Sequence, residues 1–167
     1  MHDRLNPVRR GAVLLVTGLL ATLGLIATGS PASAGPIACN NMNSFTLVFR
    51  TGGDDLRGNS EVMPYLTTRF GDVELGHFNG GFGNNSTSTK VVGLANLNWT
   101  VNSCDVTGLK LRMVSHNGAF QTDDNWNMDA VTMYGYGNNG AYSYYFNASG
   151  APLKRFTGSS QWWSMLG

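Results

Sequence analysis

Charge is scarce in this sequence, and the common signatures of catalysis and metal binding are missing. Only 13% of the residues are Asp, Glu, Lys or Arg, and no basic cluster stands out. Nucleic acid is therefore not an expected partner. Cys39 and Cys104 are the two cysteines, and no CxxC or HxxxH spacing joins them into a zinc site. No GxSxG elbow is present, which removes the common serine-hydrolase signature. Ser115, His116 and Asp123 can be drawn as a triad, but nearness in sequence is not geometry. His77 falls at period two with Val73 and Leu75 and reads as a sheet residue. Acidic loops leave room for a carboxylate-pair hydrolase, yet no catalytic residue is assigned and an enzyme is not expected. Beyond residue 35 no segment sustains a 3.6-residue period, and no internal repeat or basic amphipathic helix is found.

The one long apolar run is at the start. MHDRLNPVRR carries Arg4, Arg9 and Arg10, residues 12–28 are apolar, and Ala32-Ser33-Ala34 offers a small-residue cleavage site. That order is the grammar of a secretory signal peptide, with cleavage after Ala34. A membrane anchor would need a longer run without an immediate cleavage site. The expected organisation is a signal peptide over 1–34, a tail over 35–43, one domain over 44–157 and a second tail over 158–167. Removing 1–34 leaves 133 residues with 8 basic and 9 acidic side chains, a net charge of −1. That length suits one domain with its own core, and a secreted monomer is the expectation. Export favours a Cys39–Cys104 disulfide.

What the rest contains is alternation. Phe45, Leu47 and Phe49 share one face of 44–51. Similar patterns mark 60–67, 73–77, 86–95, 109–113, 130–134, 142–146 and 152–157. Residues 97–102 read either as a short strand or as part of a connection. Eight short strands separated by turn-rich segments predict an all-β fold, an antiparallel eight-stranded β-sandwich. If successive strands reverse direction, the connections 52–59, 79–85, 116–128 and 147–150 meet at one end.

Two kinds of residue at that end could bind. Asp54, Asp55, Asp123, Asp124 and Asn125, with Asn59 and Asp129 outside them, offer the oxygen ligands calcium takes. The same residues are also ordinary turn formers, and Asp129 at the start of a strand could instead accept backbone N–H bonds near Leu56 and Arg57. The apolar candidates are Leu56, Phe82 and Phe120 at expected loop tips, with Trp126 expected partly structural and partly exposed. Trp162-Trp163 and the tyrosines 134, 136, 142, 144 and 145 form a second aromatic set. These could fill the core, stack on sugars or meet a membrane interface.

In order along the chain, FTLVFRTGGDDLRGNSEV (45–62), LKLRMVSHNGAFQTDDNWNMDAVTM (109–133) and AYSYYFNASGAPLKRF (141–156) resemble PLAT (lipoxygenase-homology) β-sandwiches. The shared features are an alternating strand with a T-G turn and acidic loop, a Trp just before an Asp and a strand, and a final hairpin. DDLRGNS stands where many members have a small-residue G-T-D segment. The resemblance implies a non-catalytic module, here in a stand-alone secreted bacterial form, that docks on a lipid surface or a protein, sometimes with calcium. It places the loop carboxylates at Asp54, Asp55 and Asp123 and the tryptophan at Trp126. A secreted carbohydrate-binding module using surface Tyr and Trp is the alternative.

Overall fold

Phe45, Leu47 and Phe49 are fully buried on one face of the first strand, as their spacing requires. A computed structural model describes residues 38–97 and 100–166. The signal peptide expected over 1–34, the first residues of the tail expected after it, and Trp99 lie outside the described residues. Ten strands are described: β1 (Asn41–Thr51), β2 (Glu61–Thr68), β3 (Gly71–Glu74), β4 (Phe78–Asn79), β5 (Thr87–Gly93), β6 (Val101–Asn102), β7 (Val106–Val114), β8 (Trp126–Gly137), β9 (Tyr142–Phe156) and β10 (Trp162–Leu166). A 3-10 turn over Leu94–Leu97 and the short β6 occupy the stretch that read two ways in the sequence.

All pairings are antiparallel. One sheet runs β5–β1–β8–β9, with β6 beside β1. The other runs β10–β7–β2–β3, with β4 beside β2. The inner faces of both sheets share one core, from Phe45 and Met133 on one side to Leu66, Leu109 and Met113 on the other. The disulfide Cys39–Cys104 ties the start of the described chain to the connection before β7.

The sandwich is the expected class, but its strand count and its fourth turn differ. Residues 147–150 are not a turn. They lie inside β9, a single strand of 15 residues. Lys154 pairs with Met128 and Ser149 with Ala130, so the chain between them bulges out of the ladder. Pro152 cannot donate a ladder hydrogen bond, and a bulge is where a sheet accommodates it. The C-terminal segment also departs from a tail. Trp162–Leu166 pairs with β7 from Arg112 back to Gly108.

The topology matters for the site. β1–β2, β4–β5, β7–β8 and β9–β10 all join one sheet to the other. These connections arch over the same end of the sandwich. Three of them are connections expected there, and the fourth is 157–161 in place of 147–150.

Candidate functional site: the four-loop rim

Loops that cross between sheets must cover the open end of the core. Leu56 and Phe82 do this. They bond backbone to backbone, Leu56 N–H to Phe82 O at 3.1 Å and Phe82 N–H to Leu56 O at 3.0 Å. Their side chains are 0% and 1% exposed. Both were expected at exposed tips; instead they point inward as part of the plug, because a crossover loop needs apolar cover underneath. Gly80 permits the approach, since a Cβ there would lie 2.0 Å from the Arg57 carbonyl oxygen.

Trp126 is the centre of the plug and is 0% exposed. Its ring stacks on Phe156 at 5.1 Å and meets the edges of Phe49 and Phe82 at 5.9 and 5.6 Å. Its indole N–H donates to Thr51 Oγ1 at 3.0 Å, which satisfies the one polar atom it buries. The expectation that Trp126 is partly exposed is therefore corrected: it is a core residue.

The acidic residues divide by partner. Asp124 is buried. Its carboxylate accepts from the Arg57 backbone N–H and from Arg57 Nε, each at 2.9 Å. Arg57 also donates to the Thr122 carbonyl at 2.8 Å. The role foreseen for Asp129, accepting backbone N–H bonds near Leu56 and Arg57, belongs to Asp124. Asp129 lies in β8 over Gly52, where a Cβ would sit 2.4 Å from its carboxylate. Asp54 pairs with Arg155 at 3.0 Å. Asp123 accepts from Asn117 Nδ2 at 2.6 Å and lies over Gly158 of the β9–β10 turn. Asp55 and Asn125 are half-buried.

Calcium does not fit this arrangement. Among the described residues no group of three or more His, Cys, Asp or Glu side chains is gathered as a metal site. The guanidinium groups of Arg57 and Arg155 already neutralise Asp124 and Asp54. A calcium shell needs six to eight oxygens converging on one point, and Asp54, Asp124 and Asp123 each face a different partner, Arg155, Arg57 and Asn117. The arginines are what the sequence reading missed. Arg57 was visible two residues beyond the Asp54-Asp55 pair, but its partner is 67 residues away.

The triad drawn from Ser115, His116 and Asp123 is not assembled. Ser115 Oγ donates to Asn117 Oδ1 and accepts from the Asp124 N–H. His116 Nε2 faces Glu61 at 3.7 Å. Glu61 also accepts His77 Nδ1 at 2.9 Å, and His77 Nε2 meets Glu74 at 3.1 Å. His77 lies between β3 and β4 and not within a strand. The hydrogen bond His77 donates to Glu61 holds its imidazole above the usual range, and the same bond holds Glu61 low.

One rim residue stands apart. The 115–125 loop is fastened at its base by Arg57, by Asn59, which donates to the His116 carbonyl, and by Asn117. Above that base Gln121 N–H closes a turn on the Gly118 carbonyl at 3.1 Å. Phe120 sits at the third position of this turn, with φ +71° and its side chain wholly exposed at 108%. A turn that wants φ > 0 there normally takes glycine. A bulky side chain in that region is strained by about 1–3 kcal/mol. The tip around it, Gly118, Ala119 and Gln121, is exposed and uncharged.

With that geometry in place, the fold can be compared with known ones. No protein-family model and no curated protein sequence matches the chain. Solved structures do match. The alpha toxin from Clostridium absonum superposes at a TM-score of 0.54 with 15% identity, over 75% of this chain and 32% of the toxin. The Clostridium perfringens alpha-toxin from avian strain SWCP gives 0.54 with 16% identity, over 81% and 33%. A lipoxygenase matches at 0.48 with 13% identity, over 74% and 16%. The chain thus spans about a third of the toxins' length. The fold is a PLAT-like β-sandwich.

Proposed function

We propose that this chain is an extracellular, non-catalytic docking module that meets a lipid surface through the 115–125 loop. The observation that carries the reading is Phe120, a strained and fully exposed aromatic residue on an uncharged tip above a fastened base. Strain kept at one residue while the rest of its loop is tied down is a pointer to function. The PLAT-like fold supports the same reading, because lipid docking is what the resemblance implies. Leu56, Phe82 and Trp126 serve this surface by holding the loops from beneath, and not by contact.

The rim arginines are already paired with carboxylates, so the docking is apolar in character and does not run through calcium. Flotation with phosphatidylcholine vesicles tests it. The chain should float with vesicles, equally in calcium and in chelator. Phe120→Ala should lower the partition by about ten- to a hundredfold, the value of burying one aromatic side chain. Vesicle binding unchanged by Phe120→Ala would sink the lipid reading. No binding by the wild-type chain would turn the rim towards a protein partner.

A further inference from the structure

We propose that the outer face of the β10–β7–β2–β3 sheet is a second site, independent of the rim, which takes a neutral polysaccharide chain. Strand register sets Trp162 across from Arg112, and Lys110 across from Tyr65, which lies across from Glu74. These side chains turn outward, alternating with the buried Leu66, Leu109, Leu111, Met113 and Met165. Trp162 is 51% exposed, and its ring lies 5.5 Å from that of Tyr65 with the planes 39° apart. The Arg112 guanidinium carbon is 5.5 Å from the Trp162 ring centre and braces it. Lys110 Nζ pairs with Asp72 at 2.6 Å on the neighbouring row. Burial and the neighbouring Glu74 hold the Tyr65 phenol above its usual range.

The chemistry of the face selects its occupant. A pyranose ring has one face of C–H groups and a rim of hydroxyls that both donate and accept. Its C–H face fits the open ring of Trp162, with the half-buried ring of Tyr65 beside it, since both bodies are apolar. Its hydroxyls fit Arg112 and Lys110 as donors and Glu74 and Asp72 as acceptors. Two cations and two carboxylates leave no net field for a polyanion. The same four charges, set beside the rings, oppose insertion into hydrocarbon. The apolar part is the rings of Trp162 and Tyr65 with Leu166 at the far end of the same strand face, too little for the apolar centre of a stable protein interface.

The test is affinity electrophoresis of the chain, purified as processed from its full sequence. Native gels would carry hydroxyethyl cellulose, a β-1,3-glucan or starch, with co-sedimentation on chitin alongside. At least one polysaccharide should retard the wild-type chain, and Trp162→Ala should weaken that retardation by about tenfold. Where Trp162→Ala does not fold, as judged by circular dichroism, Ser164→Arg blocks the same face from an exposed position across from Lys110. Phe120→Ala should leave retardation unchanged, and Trp162→Ala should leave vesicle flotation unchanged. No retardation by any polysaccharide overturns the proposal, as does retardation that survives the blocking variants. Loss of retardation in Phe120→Ala would move the sugar to the rim, and loss of flotation in Trp162→Ala would give this face to lipid; either outcome contradicts it.

Discussion

Phe120 and Trp126 belong to one short stretch and end on opposite sides of the rim. Trp126 is sealed against Phe156, Phe49 and Phe82 with its N–H satisfied by Thr51. Trp126→Ala should therefore destabilise the fold by about 3–5 kcal/mol in chemical denaturation, through a cavity its neighbours cannot fill. Phe120 predicts the reverse. Phe120→Gly places the residue that tolerates φ > 0 where the turn wants it. Denaturation should then show stability held or raised, by up to about 1 kcal/mol, while vesicle binding is lost. A marked fall in stability would mean that Phe120 makes contacts the structure does not show. The sequence made both aromatics candidates for contact, and burial alone separated them. The Asp-rich, polar composition of 116–125 hid the fact that the next residue begins a core strand.

The elements of the rim are tied by charge as well as by packing. His77, between β3 and β4, and His116, in the β7–β8 loop, both face Glu61 at the start of β2, and Glu74 faces His77. The Glu61 hydrogen bond raises His77 in the folded chain above the usual 6.5, so its contribution is complete below that value and is lost as pH rises through the folded one. The Glu61 carboxyl is held below its usual 4.5 chiefly by the same bond, so its contribution is present above that value and fades as pH falls through the folded one. The cluster therefore ties these elements best between about pH 4.5 and 6.5. The thermal midpoint should decline as pH rises above that window, and His77→Gln should remove most of the decline. An equal decline in the variant would assign it to other groups. None of this was legible beforehand, because period two with Val73 and Leu75 placed His77 in a strand. The turn at Gly76, with φ +113°, takes it out of one.

At the scale of the molecule, the sandwich and the disulfide were legible because both follow from simple patterns. Alternation such as Phe45-Leu47-Phe49 fixes a buried face, and two cysteines in a chain expected to be exported allow a single pairing. The Cys39–Cys104 bond encloses a loop of 65 residues. Replacing both cysteines with serine should cost roughly 4 kcal/mol in the chain-entropy treatment, readable as a fall in the denaturation midpoint. The long β9 was not legible, because Asn147-Ala148-Ser149-Gly150 before Pro152 has the composition of a turn and the structure of a bulge. Nor was the inward direction of Leu56 and Phe82, which depends on their connections crossing between sheets. That crossing is also why the rim has an apolar plug beneath its loops. The measurement that bears most directly on this account is flotation of the wild-type chain and of Phe120→Gly with phosphatidylcholine vesicles, with stability measured on the same samples. The account predicts that the variant is at least as stable as the wild type and no longer floats. A variant that floats as well as the wild type would contradict it.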